Sequence, residues 1–304
     1  ENARGFSMLL LHLPETEITQ LVLPASRDGA ADFVPSEAMR AADAWIVLAN
    51  PLAEGIEPWL DAWNSALPGV PCIGGLASGG AGEADIFTWS DRAEVDGGIA
   101  LGLKGGVRVD ALVSQGCRPI GEPWSITGAE RNYVITLGSR PAFEVLQETF
   151  QSLPNSEKEQ AQGNIFVGLA TSEYVDEFKT GDFLVRNLLG GDPKHGVIAV
   201  GAWPRVGQTL QFQLRDANSA DAELRHLTEQ RGKSARPPFA SLLFACNGRG
   251  RHLFGASDHD AAVLAEILGA HPSAGLFCNG EIGPVGGRNF IHGYTASAAL
   301  FSEA

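Results

Sequence analysis

Glycine constrains this chain most. Thirty-seven of its 304 residues are glycine, about 12% against a usual ~7%, so many turns, or backbone held close to other groups, must follow. The apolar runs between the glycines are short, which favours strands over long helices. Residues 8–11, 20–23 and 45–49 read as strands. Ile56, Trp59, Leu60 and Trp63 recur at helical spacing, with Pro58 near the start and Leu67-Pro68-Gly69 as the stop. Residues 70–73 read as a strand running into residues 74–82, the most glycine-rich loop. Further strands are expected at 86–89, 98–103, 107–113 and 133–137, and Gly105-Gly106 predicts a hairpin between two of them.

Ser139-Arg140-Pro141 opens a helix carrying Phe143, Leu146 and Phe150, and the polar stretch 153–163 follows without a strong pattern. Strands are then expected at 165–170, 183–189, 197–200 and 210–214, with a helix over 219–230. Arg236-Pro237-Pro238 precedes a continuously apolar strand at 240–246, the mark of a strand buried on both faces. A helix capped by Ser257 or Asp258 stops at Gly269, and strands at 275–278 and 296–301 bracket another glycine-rich segment. This strand-dominated order predicts an α+β fold, with two strand-rich domains of largely antiparallel sheets flanked by helices, over residues 1–138 and 139–304.

Charge narrows the partners. Twenty-two basic residues against 36 acidic ones give a net charge of −14. Sequence-independent contact with nucleic acid or anionic lipid depends on clustered Lys and Arg, and lysine is confined to Lys104, Lys158, Lys179, Lys194 and Lys233. No segment approaches the roughly 18 apolar residues of a membrane span, so no membrane insertion is expected. The run over 7–13 has neither a basic flank nor a small-residue cleavage site. Cys72, Cys117, Cys246 and Cys278 lie far apart with no CxxC pair, which fits a reducing cytoplasm better than a zinc clip or a disulfide framework. The chain starts at Glu1 without Met.

Catalytic signatures mostly fail. Gly80-Ala81-Gly82 and Gly248-Arg249-Gly250 supply only two glycines of GxGxxG, with Asp85 and Leu253 in the third slot, and no Walker lysine follows any glycine-rich loop. Leu76 stands where GxSxG needs glycine before Ser78. HExxH is absent, and Ser257-Asp258-His259-Asp260 reads as an acidic helix start rather than a metal loop. Cys246, at a strand end beside Arg249 and Arg251, is a candidate nucleophile with His252 or His292 as base, but a small buried hydrophobe is the favoured role, since nothing in the sequence brings a histidine within reach.

Three groups of motifs carry a resemblance. Asn50-Pro51, Ile73-Gly74-Gly75-Leu76-Ala77-Ser78 and the run from Ser114-Gln115-Gly116-Cys117-Arg118 through Pro119-Ile120-Gly121 come first. The runs at 183–190, 207–212 and 214–217 continue it. Cys246-Asn247-Gly248-Arg249-Gly250, Gly280-Glu281-Ile282-Gly283-Pro284 and His292-Gly293-Tyr294-Thr295 close it. Over residues 1–301 the chain resembles FIST (F-box and intracellular signal transduction) proteins, N-terminal plus C-terminal domain. The family's N-terminal domain begins with further strand and helix elements, so the resemblance implies that the chain starts inside that domain. The resemblance implies a sensory module for a small molecule, with amino acids as proposed ligands, whose output needs a separate signalling protein. It also implies haem-based nitric oxide sensing as an alternative, and an F-box-associated interaction module as another, although no F-box and no kinase are visible here. No cofactor is called for by the residues themselves. Haem stays open, with seven histidines and no spacing signature.

An amino-acid zwitterion needs a bidentate cation and an anion. Arg118 or Arg249 suits the carboxylate and Glu281 the ammonium, all three in glycine-rich motifs where backbone N–H groups can approach. The candidate ligand-binding set is Gly74, Gly75, Cys117, Arg118, Cys246, Asn247, Arg249, Glu281, His292 and Tyr294. For the arginines a structural salt bridge is the competing role, for Glu281 a turn, and for His292 and Tyr294 a hydrogen-bonded corner before the last strand.

Overall fold

The computed structural model describes residues 6–31, 33–79, 88–90, 93–178, 181–234 and 236–304. Gly80-Ala81-Gly82 with Asp85, and the first half of the strand expected at 86–89, lie outside them, as does Glu1. In chain order the first elements are β1 (Thr16–Val22), α1 (Arg27–Ala31), α2 (Glu37–Ala41), β2 (Ala44–Ala49), α3 (Ile56–Ala66), β3 (Cys72–Leu76), β4 (Thr88–Ser90), β5 (Ala93–Val95), β6 (Gly98–Gly105) and β7 (Val107–Ser114). The middle holds β8 (Cys117–Glu130), β9 (Tyr133–Leu137), β10 (Arg140–Pro141), α4 (Ala142–Ser152), α5 (Asn155–Ala161), β11 (Ile165–Ala170), β12 (Phe183–Asp192), β13 (Val197–Val200), β14 (Thr209–Arg215) and α6 (Ala217–Ser234). The last elements are β15 (Ala240–Cys246), α7 (Arg251–Phe254), α8 (His259–Leu268), β16 (Ser273–Cys278), β17 (Glu281–Val285), β18 (Arg288–His292) and β19 (Ala296–Glu303).

The fold is α+β, and its contacts gather into two compact units. One consists of Glu1–Ser114 with Glu223–Ala304, the other of Gln115–Ala222. The first unit holds a six-stranded sheet ordered β1-β6-β2-β3-β17-β18 and a four-stranded sheet ordered β16-β15-β19-β7. Only β2–β3 and β15–β16 are parallel in them.

Alternation along the strands sorts this unit into four layers. Trp45, Val47 and Ala49 of β2 cluster with Trp59, Leu60 and Trp63 of α3. Ile46, between them in sequence, clusters on the opposite face with Ile73, Leu103, Phe244, Cys278, Ala299 and Phe301, between the two sheets. On the far side of the smaller sheet, Leu224, Val263 and Leu264 pack with Leu112, Ala298 and Leu300. Strands β2 and β15 are thus covered on both faces, which is why β2 reads as an unbroken apolar run and β15 as one interrupted only by Ser241. Each fully buried large side chain contributes about 1.5–3 kcal/mol.

The expected hairpin at Gly105-Gly106 does not form. Strand β6 pairs with β1 and β2, whereas β7 pairs with β19 in the other sheet. Leu103 and Val107 share the inter-sheet core, so the two strands bury their apolar faces against each other instead of pairing edge to edge. Gly105, at φ +96°, makes the crossing, and its N–H donates to Asp43 Oδ2 at 3.1 Å. Residues 8–11 are not a strand either. Leu9 and Leu11 pack toward the inter-sheet core while Met8 and Leu10 are exposed, so the alternation is real but no ladder accompanies it.

The second unit is a closed ring of antiparallel strands, β8-β9-β13-β12-β11-β14 and back to β8, with β10 attached to β9. Ile126, Val134, Val167, Ile198, Leu210 and Phe212 fill it, with Ala142 and Val145 from α4 and Ala161 from α5. Closure removes the free strand edges that an open sheet carries.

Candidate functional site

In the first unit three of the sequence motifs meet where the C-terminal ends of β3, β15 and β16 face the start of β17. Glu281 pairs with Gly75, and Cys246 with Cys278, in the strand ladders. Leu76 N–H donates to the Gly280 carbonyl at 2.8 Å, and Asn247 N–H donates to the Cys278 carbonyl at 3.0 Å. Asn247 Nδ2 donates to Asn279 Oδ1 at 2.9 Å, and Asn279 Nδ2 donates to the Ala77 carbonyl at 3.1 Å. The hydroxyl of Ser78 donates to the Phe277 carbonyl.

Gly74 and Gly75 are packing positions. A Cβ on Gly74 would lie 1.8 Å from the Val47 carbonyl oxygen, and one on Gly75 would lie 2.3 Å from Cys278 Sγ. Both are buried within β3. Burial, with Glu281 and Cys246 adding to it, pushes the Cys278 thiol well up.

Glu281 is fully buried, and its Oε2 accepts the Thr295 N–H at 3.0 Å. His292 is also buried. Its Nε2 lies 3.0 Å from the Gly283 carbonyl, and a carbonyl can only accept, so that nitrogen carries the proton. Tyr294 takes a left-handed backbone conformation, φ 65°, and its carbonyl faces Arg249 Nη1 at 3.4 Å.

Arg249 is the cation of this node. Its Nε donates to Asp260 Oδ2 at 2.7 Å and its Nη2 to Asp260 Oδ1 at 2.9 Å, with only 1% of Arg249 and 5% of Asp260 exposed. The guanidinium carbon lies 5.3 Å from the centre of the Phe254 ring. His259 stacks on Phe254 at 3.5 Å, and its Nδ1 lies 3.0 Å from Asp260 Oδ1. Burial works against both charges, but the bonds from Arg249 and His259 prevail and hold the Asp260 carboxyl at about 2. Arg249 is held protonated in turn: burial opposes its charge, while Asp260 and then Glu223 and Glu281 support it. The acidic start of α8 is therefore one half of an internal ion pair, and Asp260 and His259, absent from the sequence-derived set, belong to the node.

A cavity of about 280 Å³ adjoins this node. Leu243, Ala245, Leu276 and Phe277 give it apolar walls, Gly250 and the first turn of α8 close one end, and Ser273 stands among its other lining residues. Cys117 and Arg118 belong to the other unit. Cys117 is buried in β8, and Arg118 pairs with Glu157 and, at 3.5 Å, with Asp216. Among the described residues, no group of three or more His, Cys, Asp or Glu is arranged to hold a metal ion, and no helix is long and apolar enough to cross a membrane.

This cavity, at about 280 Å³, is smaller than a porphyrin macrocycle, and His292 Nε2 and His259 Nδ1 are engaged by protein oxygens.

Two domains in series, each matched by a family model, define a sensory module of signal transduction: the FIST N domain over residues 5–140 and the FIST C domain over residues 142–284. The chain belongs to the FIST family. An uncharacterized protein of Mycobacterium tuberculosis is 41% identical over 304 residues, all of this chain and 79% of its own length. One of Mycobacterium bovis is 41% identical over 265 residues, 86% of this chain and 68% of its own length. A solved structure of cyanuric acid hydrolase from A. caulinodans covers 95% of this chain and 99% of its own, at 11% identity and a TM-score of 0.22, and at that score it carries no argument.

Proposed function

We propose that this chain detects a small amino acid in the cavity beside α8 and passes the signal to a separate protein. The observation that carries this reading is the position of His259 and Asp260, which line the cavity, Asp260 also holding Arg249 of the motif node and His259 bonding Asp260. A ligand touching the first turn of α8 acts on the ion pair, and through Arg249 on the Tyr294 carbonyl before β19. The apolar walls Leu243, Ala245 and Leu276 suit an aliphatic side chain. The exposed Asp258 suits its ammonium group, and the N-terminal amides of α8 suit its carboxylate.

Thermal melts against the proteinogenic amino acids test this. A ligand present at a hundred times its Kd stabilises by about 2.7 kcal/mol, a clear rise in Tm. The expected result is a rise with an aliphatic member that Leu276→Trp, placed in the cavity wall, abolishes. No rise with any amino acid, or a rise that Leu276→Trp leaves unchanged, overturns the reading.

A further inference from the structure

At the end of the cavity away from Arg249, three side chains form a proton relay. His271 Nδ1 lies 2.8 Å from the Gly269 carbonyl, and its Nε2 lies 3.0 Å from Ser241 Oγ. Ser241 Oγ lies 2.9 Å from Ser273 Oγ. A carbonyl can only accept, so Nδ1 carries the proton of the neutral ring and Nε2 offers its lone pair. The Ser241 hydroxyl then donates to Nε2, and the Ser273 hydroxyl donates to Ser241.

Strand pairing fixes this order of groups. Ser241 and Ser273 are directly opposed in the parallel β15–β16 ladder, so their side chains rise from the same face. Ser241 is fully buried, whereas Ser273 is exposed and lines the cavity. The Ser241 N–H is bonded to the Pro272 carbonyl inside the ladder. The Gly275 N–H instead leaves the sheet, reaching Ser7 Oγ at 3.1 Å, and by the same alternation the Ser273 N–H also points off the edge of β16. A nucleophile, a buried relay, a base and an imidazole-orienting carbonyl are thus in series, with a backbone N–H beside the nucleophile.

We propose that Ser273 is an acyl-accepting nucleophile, deprotonated through Ser241 by His271, acting on small carboxylic esters with an apolar acyl chain. Ser273 Oγ bonds to the acyl carbon while its proton moves to Ser241 Oγ and the Ser241 proton moves to His271 Nε2. The ester C–O bond then breaks, and the leaving alcohol takes the proton back along the same path. Water repeats the sequence and releases the acid, so one ester and one water give one acid and one alcohol. Ser273 is the catalytic residue, and Ser241 and His271 act through it. The apolar walls at Leu243, Ala245 and Leu276 receive the acyl chain, and about 280 Å³ limits it to a short one.

The proposal does not rest on amino-acid sensing, because its test uses no amino acid. The whole chain is incubated with an alkyl fluorophosphonate, the modified residue is mapped by mass spectrometry, and p-nitrophenol release from p-nitrophenyl butyrate is followed. One adduct on Ser273, lost in Ser273→Ala, is expected. His271→Gln, which keeps hydrogen-bonding groups but is no base, slows release about 10²–10⁴-fold. His271→Ala is slowed likewise and is partly rescued by added imidazole, which a purely structural role would not give. Absence of the adduct, an adduct elsewhere, or Ser273→Ala releasing nitrophenol as fast as the parent chain overturns the proposal. Because Ser273 is exposed, Ser273→Ala is expected to fold, and its circular dichroism and Tm check that.

Discussion

Asn64 and Asn289 clasp each other although 225 residues separate them in sequence: Asn64 Nδ2 donates to the Asn289 carbonyl at 2.8 Å, and the Asn289 N–H donates to Asn64 Oδ1 at 2.8 Å. Asn289 Nδ2 also donates to the Val70 carbonyl at 2.9 Å, and Asn289 Oδ1 accepts the Cys72 N–H at 2.8 Å. One buried side chain therefore joins α3, the start of β3 and β18. Asn289→Leu strands the Val70 carbonyl and the Cys72 N–H together, while Asn64 keeps its two bonds to the backbone of residue 289. At about 1–3 kcal/mol for each unsatisfied buried group, a loss of several kcal/mol is expected in urea unfolding. Exposed Arg288→Ala is the control and should change stability by less than about 0.5 kcal/mol.

The Arg249–Asp260 pair makes a second prediction. Removing one partner of a buried pair costs about 3–5 kcal/mol, so Arg249→Met should lower Tm far more than the surface change Arg225→Met, whose partner Glu266 is largely exposed. If the two variants melt together, the buried pair has no special weight.

Acid should expose the same pair. The Asp260 carboxyl sits at about 2 in the fold against an ordinary 3.8. A depressed carboxyl contributes stability that is present above its unfolded value and lost as pH falls through its folded one. Asp260 thus adds roughly 2–3 kcal/mol at neutral pH, declining between about pH 5 and pH 2. Chemical unfolding across that range should show a steeper fall for the parent chain than for Asp260→Asn, and parallel curves would refute the assignment.

Gly74 and Gly75 differ in kind. A Cβ on Gly75 meets the thiol of Cys278 first, a side-chain atom that can be removed, whereas one on Gly74 meets the Val47 backbone oxygen. Gly75→Ala should destabilise strongly and recover in part when combined with Cys278→Ala. Gly74→Ala should not recover in any single side-chain background. The double-mutant cycle measures this directly.

Thiol chemistry should separate the cysteines. Cys72, Cys117 and Cys278 are buried and Cys246 is partly exposed. Burial pushes the thiols of Cys72 and Cys278 up, which leaves little thiolate to react at neutral pH. Iodoacetamide should modify Cys246 first in the native chain. Equal native rates at Cys246 and Cys278 would contradict the packing at Gly75.

Much of the fold was legible because apolar period reports burial. The spacing of Trp59 and Trp63 marked α3, and the apolar runs at 45–49 and 240–246 marked strands covered on both faces. Strand β8 was not legible, because Pro119, Gly121 and Pro123 punctuate it and its register slips against β9 and β14. Helix α5 was hidden because Ala161 is its only buried residue. Pairing was harder still. Local turn chemistry at Gly105-Gly106 suits a hairpin, and only the shared burial of Leu103 and Val107 sends β7 to the other sheet. At the candidate site, residue types indicated charged loops, but nothing in the order of residues shows that Arg249 spends its fork on Asp260 or that His271 reaches Ser241. The family models divide the chain by sequence at 140–142, while the compact units divide it by contact at 114/115 and 222/223, so the two seams answer different questions.

The interruption of one unit by the other sets an order for synthesis. The closed ring of β8, β9 and β11–β14 draws all its partners from residues 115–222, so it can close while the C-terminal strands are still untranslated. Strands β3 and β7, made earlier, must wait for β17 and β19. Until β15 and β19 leave the ribosome, β7 has no strand partner and the face of β2 at Ile46 lacks the cover that Phe244, Ala299 and Phe301 give it. The nascent chain therefore passes through an interval in which its middle is finished and its first third is the part most in need of a chaperone.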